Sequence, residues 1–140
     1  MRTEIAINTE SGLNYDVIVT AKLKGTTNQF SNGKNYQYNV TVKVGKLRAS
    51  FVYNTSVNDF NHGKAEMDEK DLQSALYCFL SDATAGKESF EDFCGEFGYD
   101  TDSRKAEKIH RECQKSAEKA ERLFVDIYEV ANALNELENA

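Results

Sequence analysis

The first half of the chain alternates between apolar and polar residues, which is the pattern of β-strands that bury one face. Between Leu13 and Lys24 every odd position is apolar and nearly every even position is polar. The same alternation occurs before and after this segment. It predicts four strands, at about Thr3–Asn8, Leu13–Lys24, Tyr36–Val44 and Leu47–Tyr53.

The segments that join these strands contain turn-forming residues. The pair Gly45-Lys46 between the last two strands is typical of a type II′ hairpin. Residues 24–35 and 54–66 are predicted to be polar loops. Consecutive strands joined in this way form an antiparallel meander, and its apolar face needs a cover.

The second half has helical periodicity and can supply that cover. An apolar stripe predicts a helix over about Glu69–Asp82, with Asp68 as its cap. Ser89 is predicted to open a short helix that Gly98 ends.

A last helix is predicted from Ser103 to Glu138, with Thr101 or Asp102 as its cap. At ~1.5 Å per residue, an uninterrupted helix of this length is longer than a compact domain of this size needs. It therefore either breaks near Ser116–Glu118 or projects and finds a partner helix.

These patterns together predict an α+β chain. It has a four-stranded antiparallel meander followed by two shorter helices and one long C-terminal helix. The length of 140 residues fits a single domain, with the meander at 1–56 and the helical part at 67–140.

Charge is distributed unevenly between the two halves. Residues 1–64 carry eight Lys/Arg and four Asp/Glu, whereas residues 65–140 carry nine and nineteen, giving the net charge of −6. No signal peptide or membrane-spanning stretch is visible, and the three cysteines have no motif spacing. The expectation is a soluble protein with reduced thiols that resides in the cytoplasm.

Candidate catalytic and metal-ligating residues are few. His110 and Cys113 lie three apart on a predicted helix, and Cys94 could join them, but a fourth zinc ligand is missing. A Cys–His nucleophile could pair Cys113 with His110, or Cys94 with His62, but no family signature surrounds either cysteine. The cysteines are better explained as small core residues. We therefore expect neither an enzyme nor a cofactor or metal.

Basic residues on the strands suggest a nucleic-acid surface. Lys22, Lys24, Lys43 and Arg48 fall on the polar face of the predicted sheet or in its turns. Tyr36 and Tyr38 alternate with the core valines and are expected to be buried. A solvated sheet face explains the cations better, so direct nucleic-acid binding is only the alternative hypothesis.

Acidic residues are densest around the two shorter helices. Many stand at helix starts, where carboxylates interact favourably with the helix dipole. The functional interpretation is an acidic patch that binds a basic groove on a protein partner. The predicted contacts are Asp68, Glu69, Asp71, Glu91, Asp92 and Glu96. A third hypothesis is a structural or regulatory homodimer formed through the C-terminal helix, at Leu123, Ile127, Val130, Leu134 and Leu137.

Residues 90–106 read F-E-D-F-C-G-E-F-G-Y-D-T-D-S-R-K-A. This stretch resembles a segment, F-x-x-F-C-x-E-F-G-Y-D-x-D-S-R-x-A, shared by many small bacteriophage-encoded proteins of unassigned function. The resemblance covers about the second half of the chain. Physically the segment is predicted to form a helical corner in which Phe90, Phe93 and Phe97 fill the core.

The resemblance implies a phage gene product that acts in the host bacterial cytoplasm. Small acidic phage proteins without catalytic motifs are often inhibitors of host defence, anti-CRISPR proteins among them. The expected function is therefore binding to a Cas effector subunit or complex, which would block nucleic-acid binding or a subunit contact.

Overall fold

The structure, a computed structural model, describes residues 1–30, 33–54 and 66–139, with side chains outside 27–35. The described residues form a four-stranded antiparallel sheet in the order β1-β2-β3-β4, followed by four helices, so the predicted α+β meander is confirmed. The strands are β1 (Arg2–Asn8), β2 (Asn14–Phe30), β3 (Gly33–Val44) and β4 (Leu47–Asn54), and the helices are α1 (Glu69–Gly86), α2 (Phe90–Phe97), α3 (Arg104–Leu123) and α4 (Ile127–Glu138).

The chain contains two compact units. The first unit comprises Met1–Ile7 and Tyr15–Leu76, and the second comprises Asn8–Asn14 and Tyr77–Ala140. The single domain that the chain length predicts stays a prediction.

The inner face of the sheet forms the core of the first unit. Val19 lies opposite Val42 on β2 and β3, and Val42 lies opposite Ala49 on β4. All three residues are buried, as is Tyr38, which is 1% exposed. Each buried valine is worth about 1.5–3 kcal/mol of transfer free energy. The strand alternation therefore identified the buried face at the centre of the sheet, whereas Leu13 and Leu23, which share the predicted apolar face, are each 38% exposed.

The hairpin between β3 and β4 has the predicted turn. Val44 pairs with Leu47, so the loop contains only Gly45 and Lys46. Gly45 has φ +60°, whereas Lys46 has no positive φ. A positive φ at the first position alone is the pattern of a type II′ turn.

The predicted loop at residues 24–35 is wrong, because most of this segment belongs to a longer hairpin. β2 continues to Phe30 and β3 begins at Gly33, with backbone pairing of Thr26 to Tyr36. A register shift between Leu23 and Gly25 interrupts the ladder, so the alternation that signals a strand stops there. The second predicted loop lies largely outside the described residues, as does His62.

Helix α1 begins where predicted but ends four residues later, at Gly86 instead of Asp82. Alanine favours a helix, and the Thr84 hydroxyl donates to the carbonyl oxygen of Ser81 at 2.9 Å, so neither residue breaks it. Gly86 lies directly against the backbone of α3 at Cys113. The glycine therefore permits a close helix crossing.

The predicted last helix is two helices, with a break at 124–126 instead of near Ser116–Glu118. Phe124 has an extended backbone, φ −129° and ψ 143°. The Asp126 carboxylate caps α4 by accepting hydrogen bonds from the backbone N–H groups of Tyr128 and Glu129, at 3.0 and 3.3 Å. The break was hidden because apolar residues keep their helical spacing across it.

The start of the last helix also differs from the prediction. Its cap is Ser103, whose Oγ accepts a hydrogen bond from the Ala106 N–H at 3.1 Å. Neither Thr101 nor Asp102 serves as the cap. Serine is as good a cap as aspartate, so sequence alone did not choose between three adjacent polar residues.

The helical corner of the second unit has its own apolar cluster, which contains Phe93, Cys94, Ala106 and Cys113. Phe93 is 2% exposed, and its ring centroid lies 4.9 Å from that of Phe97. Phe97 itself is 50% exposed, so the expectation that all three phenylalanines fill the core is wrong for this one.

Candidate functional site

The first group of predicted contacts lies at the start of α1. Asp68 Oδ1 accepts from the Asp71 N–H at 2.9 Å, and Asp71 Oδ2 accepts from the Asp68 N–H at 3.0 Å. This reciprocal pair satisfies N–H groups that the helix itself leaves without partners. The two carboxylates therefore already have a structural role, while Glu69 beside them is exposed.

The second group of predicted contacts lies on α2. Ser89 caps this helix through its Oγ, which accepts from the Asp92 N–H at 3.2 Å, and Gly98 ends it with φ +75°. Glu91, Asp92 and Glu96 are all exposed on this eight-residue helix. The carboxylates of Glu91 and Asp92 are open to solvent, whereas that of Glu96 also interacts with Glu88.

The two groups belong to different compact units, since the boundary falls within α1. The structure thus shows two acidic helix segments, each with three of the predicted residues. Their role as partner contacts stays a prediction.

The carboxyl groups of Glu88 and Glu96 interact with each other. A hydrogen bond with the Glu96 carboxyl raises the pKa of Glu88, and burial and the negative charges of Glu96 and Asp92 raise it further, while His110 lowers it. A hydrogen bond between two carboxyl groups needs a proton on one of them. Oε2 of Glu88 is buried and has no hydrogen-bond partner among the described atoms. Ionisation of both carboxyl groups is therefore unfavourable.

His110 is a structural residue of this corner. It is buried, and its Nε2 lies 2.9 Å from the backbone oxygen of Glu88. Because a carbonyl oxygen only accepts, Nε2 must donate. The ring lies 4.9 Å from Phe93 and 5.7 Å from Phe90. Nε2 is therefore engaged in a hydrogen bond within the corner, and the described residues contain no cluster of groups able to hold a metal ion.

The two buried cysteines both have raised pKa values. Burial and the negative charges of Asp82 and Glu112 raise the pKa of Cys113 to about 11. Burial also raises the pKa of Cys94, whose thiol points at the backbone oxygen of Asp100 at 3.8 Å. A catalytic cysteine needs a lowered pKa, so these environments oppose nucleophilic chemistry.

The basic residues of the alternative hypothesis lie on the outer face of the sheet. Lys43 is directly opposite Arg48 across the β3–β4 ladder, and Lys22 lies opposite Asn39 on the same face. All are exposed, as is Lys24 at the register shift. Tyr38 lies buried on the opposite face, where it cannot stack on bases.

The residues named for a homodimer are mostly buried within the chain. Leu123, Ile127, Val130 and Leu134 are at most 4% exposed, whereas Leu137 is 45% exposed. Four of the five side chains therefore already have a structural role, and the dimer itself stays a prediction.

One feature of the second unit was not found by sequence reasoning. A cavity of about 180 Å³ opens between α1, α2 and α3, and we call it the corner groove. In the sequence, Asp82 only marks the end of the first predicted helix, and Phe97 is predicted to fill the core. No periodicity within one helix reveals a groove that three helices build. Its lining includes Asp82, Phe93, Phe97, Tyr99, Ile109 and Cys113.

Among the helices of the described ranges, none combines the length and the apolar character that a membrane crossing requires. Comparison of the chain with family models, with curated proteins and with solved structures found no match.

Proposed function

We propose that this protein is a phage-encoded inhibitor of bacterial defence that acts by binding and not by catalysis. Most specifically, it is an anti-CRISPR protein that binds a CRISPR effector complex and blocks nucleic-acid binding or a subunit contact. The observation that carries the proposal is helix α2, which presents Glu91, Asp92 and Glu96 to solvent within the segment that resembles phage proteins.

Acidic side chains on one short helix suit a basic partner surface. Such complementarity steers association and selects the partner, even where each exposed ion pair adds little affinity. A CRISPR effector must expose a positively charged channel to hold nucleic acid. An acidic helix that occupies such a channel would exclude the nucleic acid by competition.

The function is tested by plaque formation. A bacterial strain whose CRISPR system targets a phage should again form plaques when it expresses the protein. The triple variant E91Q/D92N/E96Q should lose this rescue, because three rim charges contribute roughly tenfold or more in Kd together. The matched control E10Q/D102N/E118Q removes the same charge from exposed positions and should keep it.

Neutral isosteres are used because a basic residue in the first turn of α2 would also oppose the helix dipole. Equal rescue by both triple variants would contradict the role of α2. Absence of rescue by the wild-type protein against every CRISPR type tested would contradict the anti-CRISPR function itself.

A second candidate function is nucleic-acid binding by the outer face of the sheet. Lys43 and Arg48 directly opposite each other repel, and a bound phosphate would relieve that repulsion. A gel shift at low salt with single-stranded and double-stranded probes tests this. The shift should disappear when Lys22, Lys24, Lys43 and Arg48 are changed to Ala, and no shift by the wild type rejects the candidate.

A further inference from the structure

The corner groove combines apolar walls with negative charge, and nothing in the proposed function requires such a feature. Its aromatic walls come from Phe93, Phe97 and Tyr99, and Ile109 adds an aliphatic side chain. Its volume of about 180 Å³ gives room for one large apolar side chain. Grooves of this kind between helices are common places for a peptide anchor.

Phe97 stands half exposed at this groove, as the last residue of α2. Its ring contacts Phe93, which is itself 2% exposed and fixed in the core. A half-exposed aromatic ring on a rigid support is the type of residue that contributes most to binding a partner. Burying it under a second apolar side chain would stabilise a complex.

The charge at the groove has one sign. Asp82 is the charged side chain among the residues that line the groove, and it is solvent-exposed. The charges that act on the neighbouring thiol, Cys113, are those of Asp82 and Glu112, and both are negative. An exposed carboxylate beside an apolar groove attracts a cationic side chain of a partner.

We infer that the corner groove binds a segment of a protein partner in which a large apolar residue stands next to Lys or Arg. The apolar side chain enters between Phe97, Tyr99 and Ile109, and the cation pairs with Asp82. This inference rests on the proposed function, because it supplies the anchor for the partner that the exposed carboxylates of α2 attract. Glu96 is adjacent to Phe97 in the chain, so one partner segment can engage both.

The test uses defined peptides and does not need the partner. Three capped heptapeptides are titrated into isotopically labelled protein, and amide signals are followed by NMR. The first has Leu between two Arg, the second has Ala in place of Leu, and the third has Glu in place of both Arg. Only the first should shift the signals of Phe97, Tyr99 and Ile109 at concentrations up to ~1 mM, the range of a single-anchor contact.

Two substitutions check the groove itself. D82N, which keeps the side-chain shape, should weaken binding about fivefold, as expected for one partly exposed ion pair. F97A should weaken it about tenfold or more through loss of the anchor contact. E118Q lies on the exposed surface of α3 and should leave binding unchanged.

Several outcomes would overturn the inference. They are the absence of shifts with the first peptide, equal shifts with the Ala or Glu peptide, or binding that D82N and F97A leave intact. Self-association that F97A abolishes would show that a second copy fills the groove instead. If the first peptide binds as stated while phage rescue fails, the groove stands and the anti-CRISPR function falls. If phage rescue succeeds but the first peptide does not bind, the anti-CRISPR function stands and the groove inference falls.

Discussion

Replacing Gly86 by alanine should destabilise the second unit, even though alanine is the better helix former. Gly86 is the last residue of α1 and is buried against α3. A Cβ at this position would lie 2.6 Å from the backbone nitrogen of Gln114 and nearer still to the carbonyl group of Cys113. These are backbone atoms, so no side-chain rotation can relieve the clash.

The magnitude follows from two opposing effects. Glycine to alanine within a helix is worth about 1 kcal/mol in favour of alanine. Forcing extra volume into a packed contact typically costs about 1–3 kcal/mol, and separating two helix backbones lies at the upper end or beyond. The net loss should be about 2 kcal/mol in the free energy of unfolding. For a chain of this length, that corresponds to roughly 5–10 °C in Tm.

Thermal unfolding followed by far-UV circular dichroism measures this directly. The matched control is G95A, because Gly95 lies within α2 and is exposed. Apart from its chain neighbours and the backbone of its own helix, no heavy atom lies within 4 Å of an added Cβ. G95A should raise the free energy of unfolding by about 0.5–1 kcal/mol. A G86A protein as stable as G95A would refute the close crossing of α1 and α3.

Three further predictions concern capping, pH and thiol chemistry. D126A should lower the free energy of unfolding by about 1 kcal/mol in urea denaturation, because the cap of α4 is lost. E88Q should raise the free energy of unfolding at neutral pH. Because the pKa of Glu88 is raised in the native state, the native protein binds this proton more tightly than the unfolded chain does. The stability of the wild type should therefore fall as the pH rises from 4.5, the ordinary pKa of a glutamate, through the raised pKa. E88Q should flatten that fall. Exposed Cys78 should react first with a thiol reagent, whereas Cys113, with its pKa of about 11, should be ~10⁻³ thiolate or less near neutral pH and react slowly.

Each of these has a clear contrary result. An unchanged denaturation midpoint for D126A would mean that α3 and α4 need no cap between them. If the free energy of unfolding of the wild type stays constant from acid to neutral pH, the pKa of Glu88 is not raised by Glu96 in the native protein. Modification of Cys113 as fast as Cys78 in the native protein would show that the buried thiol is accessible or activated.

Alternation of apolar and polar residues predicted the sheet well wherever burial was one-sided. Val17, Val19, Val40 and Val42 are at most 1% exposed, and these are the residues that set the period. The same signal failed beyond Gly25, because the extended hairpin has polar residues on successive positions and a shifted register. Residues 24–29 read K-G-T-T-N-Q, so the sequence there has no alternation of apolar and polar positions.

Helical periodicity was informative about faces and misleading about ends. The apolar spacing runs through Phe124 and Ile127 although the helix does not, since both side chains are buried on either side of the break. Only the capping by Asp126 marks the break, and one aspartate in a helical pattern is a weak signal. Ser103 is the cap of α3 because of its backbone geometry, and the sequence of three adjacent polar residues does not show which of them has that geometry.

The candidate site was predictable only in part. Charge counting identified the acidic helices, but it could not separate capping carboxylates such as Asp68 and Asp71 from available ones such as Glu91. That distinction depends on hydrogen bonds. The corner groove depends on packing between helices, so Asp82 and Phe97 acquire their significance only in three dimensions.

The central claim is that exposed carboxylates of α2 bind a protein component of a bacterial defence system. It is tested most directly by a tagged pull-down from a lysate of CRISPR-positive bacteria, with and without nuclease treatment, read by mass spectrometry. We expect a stoichiometric Cas subunit that survives nuclease and is lost when the bait is E91Q/D92N/E96Q. Capture of nucleic acid alone, or of the same protein in equal amount by the triple variant, would contradict the claim.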